Sequence, residues 1–373
     1  MTLLSLVVIG WLCVTVLCAW LLPRRLQPAG IAVCTAVFLA YFSWHSLLIL
    51  GVTSLLVYYL VDREQVHGAA VVCLVGLISA LFIWFKITSH ATAGATGLQH
   101  LMPLGLSYYS FRQIHYIFEA YKRRLERHTL ADFLCYLFFL PTIHVGPIHR
   151  FPEFLRDVRR RRWDAEQASL GIERVLYGYA KIVIIGNFLV AQRFDIWISR
   201  LDGTRPVLYA YLASLEYWMN LYFQFSGYSD VAIGFALLMG FRVMENFNYP
   251  FLAENVAEFW QRWHISLTSW CKEYVYLPMA SLTRQPVVSV LAAMLILGLW
   301  HEFSGRYVIW GFYQAFGVVV WHLFQGMKKR LPAWEGKWWG MATRIASILV
   351  TLHFVIGSTV VSNFLYGKLR SIW

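Results

Sequence analysis

The chain has 373 residues, of which 59% are hydrophobic and only 14% are charged. A soluble domain carries about 25% charged residues, so this composition excludes an ordinary soluble protein and indicates one solvated by lipid. A helix needs roughly 20 mainly apolar residues to cross a bilayer, which leaves room for about ten crossings and no separate soluble domain. The net charge of +12 is concentrated in short basic runs, which we interpret as cytoplasmic loops facing anionic lipid headgroups.

Apolar runs of helical length follow one another along the chain. We predict helices over about 3–22, 29–60 (as two short helices), 69–88, 129–143, 170–191, 205–226, 228–241, 286–300, 306–327 and 340–364. Arg24 and Arg25 follow the first run, which predicts a retained helix with a cytoplasmic turn after it. The predicted fold is an all-α polytopic membrane protein, a single embedded domain over 1–373 with peripheral helices over 1–95, a core over 96–325 and a carboxy-terminal helix over 326–373.

Two polar segments interrupt the apolar pattern in the first half of the chain. In the helix that follows the segment 102–113, Arg112, His115 and Glu119 are spaced three and four residues apart, so they share one helical face. Polar groups at membrane depth are paired or line a wet cavity, and an internal network is the favoured interpretation here. The segment 140–151 contains two prolines and a glycine within seven residues, which predicts an irregular interfacial or re-entrant turn.

A third segment, over residues 223–278, is the most informative part of the chain. From Met244 onward it mixes aromatic, basic, amide and acidic side chains and contains no apolar run long enough to cross a bilayer. Aromatic and basic side chains together favour amphipathic helices in the membrane interface or inside a protein funnel.

Five short motifs occur in register from residue 103 to residue 313. They are Asn246-Phe247-Asn248-Tyr249-Pro250 followed by Phe259-Trp260-Gln261-Arg262-Trp263-His264-Ile265-Ser266-Leu267, then Gly298-Leu299-Trp300-His301-Glu302 with Trp310-Gly311-Phe312-Tyr313, and further Phe225-Ser226-Gly227-Tyr228-Ser229, Gly146-Pro147-Ile148 and Pro103-Leu104-Gly105-Leu106-Ser107-Tyr108. Together they resemble the membrane-bound O-acyltransferase (MBOAT) family. The likeness is greatest to its bacterial branch of alginate O-acetylation proteins and D-alanyl-teichoic acid transferases.

Two features depart from the alginate-type pattern. Glu302 stands where alginate-type relatives usually have glycine. The ending, from Thr351 to Leu369, looks more like that of the D-alanyl transferases of teichoic acid. Because of these departures, the transferred acyl group could be either acetyl or D-alanyl.

The resemblance implies a ring of roughly ten transmembrane helices, with re-entrant and interfacial helices, around a central tunnel. It implies a bacterial inner-membrane enzyme that passes a short acyl group, with acetyl favoured, to a hydroxyl of an envelope polysaccharide. The donor would be acetyl-CoA or an acyl-carrier-protein thioester, acting as substrate, with no bound cofactor. The expected partners are membrane lipids, a soluble donor or carrier protein on the cytoplasmic face and an acyl-accepting partner on the other face, with no nucleic acid.

The same resemblance assigns the central catalytic histidine to His301 and a second histidine to His264. A neutral imidazole suits the task of taking the acceptor's hydroxyl proton, because its unperturbed pKa of about 6.5 lies near working pH. Since His301 closes an apolar run, we expect it at depth beside a cavity. A buried structural histidine is the alternative for either residue.

Seven further residues are candidates for substrate binding: Asn246, Asn248, Trp260, Arg262, Trp263, Trp300 and Tyr228. The asparagines could stabilise an oxyanion or form turns, the arginine could attract phosphates or anchor the interface, and the tryptophans could line a sugar path or form an aromatic belt. The six cysteines lie mostly in apolar runs without metal-type spacing, so we predict neither a disulfide nor a metal site.

Two other classes of function compete with an enzyme. Ionisable residues within membrane helices also mark transport pathways, but transporters commonly show paired repeats, which this sequence lacks. A non-catalytic scaffold could bind acidic soluble partners through Arg159 to Arg162.

Overall fold

The computed structural model describes residues 6–61, 66–91, 103–328 and 337–370. Regular structure in those ranges is helical, with no β-strand and one isolated bridge. The chain divides into two compact units. The first contains residues 1–182 and 225–244, and the second contains residues 183–224 and 245–373. The two are described separately below.

The first unit begins with three long helices: α1 (Leu6–Leu21), α2 (Gln27–Leu60) and α3 (Gly68–Ala91). It continues with α4 (Leu106–Tyr121), α5 (Leu130–Leu137), α6 (Phe151–Arg160) and α7 (Ala165–Tyr179), and α7 leads into a π-helical segment, Ala180–Phe194. The helix α2 is interrupted at Ser43, which has an extended backbone with φ −164° and ψ 83°. This interruption confirms the prediction of two short helices over 29–60.

The polar face of α4 forms the internal network that the sequence favoured. Arg112 is fully buried and donates to the carbonyl oxygens of Tyr136 at 3.0 Å and Thr142 at 3.5 Å. His115 accepts a hydrogen bond from the backbone N–H of Phe151 at 3.0 Å. The segment 140–151 contains only a short 3-10 turn, Leu140–Thr142, before α6, so it is irregular as predicted. Arg112 is thus satisfied by carbonyl groups near the end of α5 and in the irregular segment that follows it.

One prediction of helix boundaries was wrong. The predicted runs 205–226 and 228–241 form a single helix, α9 (Pro206–Leu238). Gly227 does not end a helix there. A Cβ at this position would lie 2.7 Å from the backbone oxygen of Gly178 in α7, so the glycine permits close helix packing.

The second unit contains short helices followed by three long ones. The short ones are α8 (Asp195–Ser199), a 3-10 turn (Pro250–Leu252), α10 (Val256–Arg262), α11 (Ile265–Cys271), a π-helical segment (Lys272–Tyr276) and α12 (Leu277–Thr283). The long ones are α13 (Pro286–His301), α14 (Gly305–Lys328) and α15 (Lys337–Arg370). The helices α13 and α14 pack closely, since a Cβ on Gly298 would lie 2.4 Å from the backbone oxygen of Tyr307. This contact fixes the start of α14 against the end of α13.

Five helices of the described residues are long and apolar enough to cross a membrane: Gln27–Leu60, Gly68–Thr88, Ala165–Ser199, Gly305–Met327 and Gly340–Lys368. Three shorter apolar helices accompany them: Leu6–Leu21, Leu130–Thr142 and Pro286–His301. An all-helical, multi-pass membrane protein is therefore confirmed in outline. The ring of roughly ten crossings around a tunnel stays a prediction.

Candidate functional site

Two of the sequence motifs lie side by side in the second unit. Phe247 and Trp263 form an isolated antiparallel bridge. The backbone N–H of Asn248 donates to the carbonyl of Arg262 at 3.0 Å, and that of Ile265 donates to the carbonyl of Asn246 at 2.9 Å. The connection between α10 and α11, which carries His264, is therefore held to the segment 246–248 by backbone hydrogen bonds on both sides.

His264 occupies an unusual backbone conformation at the start of α11. Its φ of 45° and ψ of 53° lie in the left-handed region, which costs a non-glycine residue about 1–3 kcal/mol and is concentrated at functional sites. Its side chain is buried, with 3% of its surface accessible. Asn246 stabilises this turn, because its Oδ1 accepts hydrogen bonds from the Ser266 hydroxyl at 2.6 Å and from the Ser266 N–H at 3.3 Å.

Burial keeps the His264 ring neutral. It lies outside the candidate membrane spans, and loss of hydration lowers its pKa from 6.5 to about 3, with a smaller contribution from the charge of His301. A neutral imidazole can accept or donate a hydrogen bond, but it carries no positive charge at working pH.

Trp300 links His264 to His301. The ring centroid of Trp300 lies 5.8 Å from that of His264 and 4.5 Å from that of His301. His301 is the last residue of α13, so the helix end brings both side chains of the Trp300-His301 pair to one place. The two histidines that the resemblance singled out are therefore neighbours around one indole ring.

His301 is exposed, which corrects the expectation that it is buried at depth. The physical reason is its place at the end of α13, where the chain turns away towards α14. Its ring is nevertheless held on one face by Tyr307, stacked at 5.6 Å and 22°, and at its edge by Trp310 at 5.6 Å and 80°. An imidazole that is oriented by aromatic rings and still accessible is suited to meet a substrate.

The remaining tryptophan candidates separate into two environments. Trp260 is buried and meets Trp310 edge-to-face at 5.7 Å, so it belongs to the aromatic group around His301. Trp263 packs instead against Phe247 at 5.2 Å and Phe259 at 5.6 Å. Its contacts are those of a hydrophobic core rather than of the histidine pair.

The four remaining candidates occupy different places in the structure. Arg262 forms an ion pair with Glu258 at 2.5 Å, one turn earlier on α10. Asn248 is exposed and contributes its backbone N–H to the bridge. Asn246 positions α11, as described above. Tyr228 lies in the first unit, whereas every other candidate lies in the second.

The sequence reasoning missed three residues on one face of α14. Tyr307, Trp310 and Gln314 are spaced three and four residues apart, and the first two contact His301. Gln314 is fully buried, and neither its amide nitrogen nor its amide oxygen hydrogen-bonds to a residue that the structure describes. A glutamine inside an otherwise apolar helix was the signal that could have pointed to it.

The polar groups of the site are imidazole, indole, phenol and amide groups, which suit hydrogen bonding and proton transfer. Over the described ranges, no group of three or more His, Cys, Asp and Glu side chains is placed to hold a metal ion.

Comparisons with known proteins show what the chain is similar to. Residues 2–354 match the model of MBOAT, the membrane-bound O-acyltransferase family. The chain is 37% identical over 215 residues to a probable alginate O-acetylase of Pseudomonas aeruginosa, which covers 57% of this chain and 41% of the relative. It is 30% identical over 338 residues to the teichoic acid D-alanyltransferase of Bacillus subtilis, covering 84% of this chain and 80% of that protein.

A third relative, the peptidoglycan O-acetyltransferase of Helicobacter pylori, is 29% identical over 246 residues, covering 57% of this chain and 46% of the relative. The match to the alginate-type relatives spans only about two fifths of their length, whereas the match to the D-alanyltransferase spans most of both chains.

Proposed function

Because the chain belongs to the membrane-bound O-acyltransferase family, we propose that it transfers a short acyl group, with acetyl favoured, from a cytoplasmic thioester to a hydroxyl of a cell-envelope polysaccharide. The observation that carries this proposal is the group of His264, Trp300 and His301, assembled from two separate motifs. Acetyl is favoured because two of the three relatives described above are O-acetylating proteins by name.

In the proposed reaction, His301 is the general base. Its ring nitrogen takes the proton of the acceptor hydroxyl while the hydroxyl oxygen attacks the thioester carbonyl. The new C–O bond forms, the C–S bond breaks, and the imidazolium returns the proton to the leaving thiolate. Tyr307 and Trp310 keep the His301 ring in one orientation, which is what an efficient proton transfer requires.

His264 has a different proposed role. A ring whose pKa lies near 3 carries no charge that could balance an oxyanion, so His264 acts as a neutral hydrogen-bonding group. Trp300, Trp260 and Gln314 are the proposed walls of the acyl or sugar path. The buried amide of Gln314 would hydrogen-bond a bound molecule, because a buried polar group without a partner is costly.

The second candidate function is D-alanyl transfer from a carrier-protein thioester. It is favoured by the D-alanyltransferase relative, whose match covers 84% of this chain and 80% of that protein. The same residues would serve, since both reactions move an acyl group from sulfur to a hydroxyl oxygen. The proposed location in either case is a bacterial inner membrane, with the donor or carrier protein on the cytoplasmic face and the acceptor on the other.

The deciding experiment compares envelope polysaccharide from cells that carry the wild-type protein, His301→Gln, His264→Gln or no copy. Mass analysis of the polymer before and after mild alkaline ester cleavage identifies the acyl group by its mass. Removal of a general base lowers rates by about 10²–10⁴-fold, so we expect the ester to be nearly absent with His301→Gln. The matched control is His322→Gln, an exposed histidine on α14, which should leave the ester unchanged.

Protein levels and thermal unfolding of the purified variants are measured beside the ester content. An ester that persists undiminished with His301→Gln at equal protein level contradicts the catalytic assignment. In that case a transporter or a scaffold becomes the better description of the chain.

A further inference from the structure

A basic cavity lies on the first unit, and none of the proposed catalytic or substrate-binding residues lines it. It is open to the surface, has a volume of about 620 Å³ and is lined mainly by the connection from α6 to α7 and the end of α9. Four arginines line it, namely Arg160, Arg161, Arg162 and Arg242, against two aspartates, Asp157 and Asp164. The cavity therefore carries more positive than negative charge.

The two aspartates are already engaged with backbone donors. One oxygen of Asp164 caps α7 by accepting from the N–H groups of Glu166 at 2.9 Å and Gln167 at 3.3 Å. One oxygen of Asp157 accepts from the N–H of Arg242 at 2.8 Å. Both carboxylates keep their negative charge in these contacts, so the four arginines of the cavity still exceed the two aspartates in charge.

Arg161 forms the rigid wall of the cavity. Its guanidinium donates to the carbonyl of Met239 at 2.8 Å and to the amide oxygen of Gln27 at 2.6 Å, and it lies 5.1 Å above the ring of Trp20. In contrast, Arg160 and Arg162 are exposed, and their side chains make no hydrogen bond or ion pair with any described residue. These two guanidinium groups remain available to an anion.

The cavity lies where four helices begin or end, namely α1, α2, α7 and α9. Trp20, near the end of α1, donates its indole N–H to the carbonyl of Leu238, the last residue of α9, at 2.7 Å. Arg161 binds Gln27, the first residue of α2, and α7 begins at Ala165. The helices α2 and α7 begin candidate spans, so we expect this surface at the level of the lipid headgroups.

An exposed tryptophan marks the same level. Trp163 has 63% of its surface accessible, and its ring meets that of Trp20 edge-to-face at 5.5 Å. Tryptophan is enriched at the membrane–water interface, where the ring sits among headgroups. The basic turn Arg24-Arg25 between α1 and α2 favours the cytoplasmic side, where anionic lipids attract arginine.

From this geometry we infer that the cavity is a binding site for the phosphate of an anionic phospholipid headgroup. Arg160 and Arg162 bind the phosphate oxygens, and Trp163 packs beside the glycerol region. A phospholipid fits better than an acidic soluble protein because the cavity is concave, lies at the ends of the membrane helices and is flanked by an exposed indole. The inference stands apart from acyl transfer, so it can fail or hold independently of it.

The test is native mass spectrometry of the purified full-length protein, titrated with phosphatidylglycerol or phosphatidylcholine of the same acyl chains. We expect the wild type to prefer phosphatidylglycerol. An arginine near an anionic lipid surface contributes about fivefold in affinity, so Arg160→Gln with Arg162→Gln should weaken phosphatidylglycerol binding about 30-fold. Phosphatidylcholine binding should be unchanged.

The matched control removes the same charge from exposed arginines that do not line the cavity, Arg123→Gln with Arg124→Gln, and should retain the preference. Arg160→Gln alone, with an expected fivefold loss, serves if the double variant unfolds. Equal losses in the two double variants, or equal binding of the two lipids by the wild type, overturns the site. If millimolar inorganic phosphate displaces phosphatidylglycerol, the inference that a lipid occupies the cavity is wrong.

Discussion

Asp230 pairs with two cations in the first unit, and replacing it tests how much these ion pairs stabilise the fold. Its Oδ1 lies 2.7 Å from a guanidinium nitrogen of Arg174, and its Oδ2 lies 2.5 Å from the ammonium nitrogen of Lys181. Both cations belong to the candidate span Ala165–Ser199. The change Asp230→Asn keeps the shape of the side chain but leaves two cations facing a neutral amide.

The expected loss of stability follows from burial. Breaking a fully buried ion pair costs about 3–5 kcal/mol, whereas an exposed pair is worth about 0–1 kcal/mol. The Asp230 side chain is 8% accessible, but those of Arg174 and Lys181 are 30% and 32% accessible, so solvent or headgroups relieve part of the penalty. We therefore expect Asp230→Asn to lower the free energy of unfolding by about 2–3 kcal/mol.

The assay is reversible unfolding of the purified protein in mixed detergent micelles, followed by circular dichroism. Lys181→Met in the wild-type background should lower the free energy of unfolding by about 1 kcal/mol or less, because Asp230 keeps Arg174 as its partner. Added to Asp230→Asn, Lys181→Met should restore about 1 kcal/mol by removing one of the two facing charges.

The control for these variants is Glu153→Gln, which removes an exposed ion pair with Arg156 at 3.4 Å. It should lower the free energy of unfolding by less than about 1 kcal/mol. The reasoning is refuted if Asp230→Asn costs no more than Glu153→Gln. It is also refuted if the added Lys181→Met lowers the stability further.

Three further predictions concern the histidine site. The pKa of His264 is about 3 in the folded protein and about 6.5 in the unfolded chain, so the unfolded chain binds a proton more readily. The free energy of unfolding should therefore be highest above pH 6.5 and fall as the pH drops towards 3. Measured by unfolding at each pH, the wild type should lose about 2 kcal/mol between pH 6.5 and 5 that His264→Gln does not lose. Gly298→Ala should lower the free energy of unfolding by about 1–3 kcal/mol and slow acyl transfer, because the new Cβ would lie 2.4 Å from a backbone oxygen. The control Gly326→Ala, whose Cβ would have no atom within 4 Å, should not lower the free energy of unfolding. Tyr307→Ala should lower the acyl-transfer rate about tenfold or more by releasing the His301 ring, and Tyr307→Phe, which keeps the stacked ring, should retain most of it.

Much of the fold was accessible from local pattern. Composition and apolar run length predicted a multi-pass helical membrane protein. Two short helices were predicted over 29–60, and the structure places the interruption at Ser43. The segment 140–151 was predicted as irregular from its prolines and glycine. In contrast, the predicted runs 205–226 and 228–241 form one helix. The local sequence does not distinguish a glycine that permits close packing from one that ends a helix, and the contact with Gly178 decides it.

The site shows the same division. The family resemblance singled out His264, Trp300 and His301 as candidates, and the structure places the three rings next to one another. The motifs did not reveal that His264 is the buried ring and His301 the exposed one, or that Tyr307 stacks on His301. Burial, the pKa of His264 and the ion pairs of Asp230 depend on side chains that are distant in sequence and adjacent in space. Local periodicity therefore determined which segments are helices, and only tertiary packing decided which polar groups are neutral, paired or accessible.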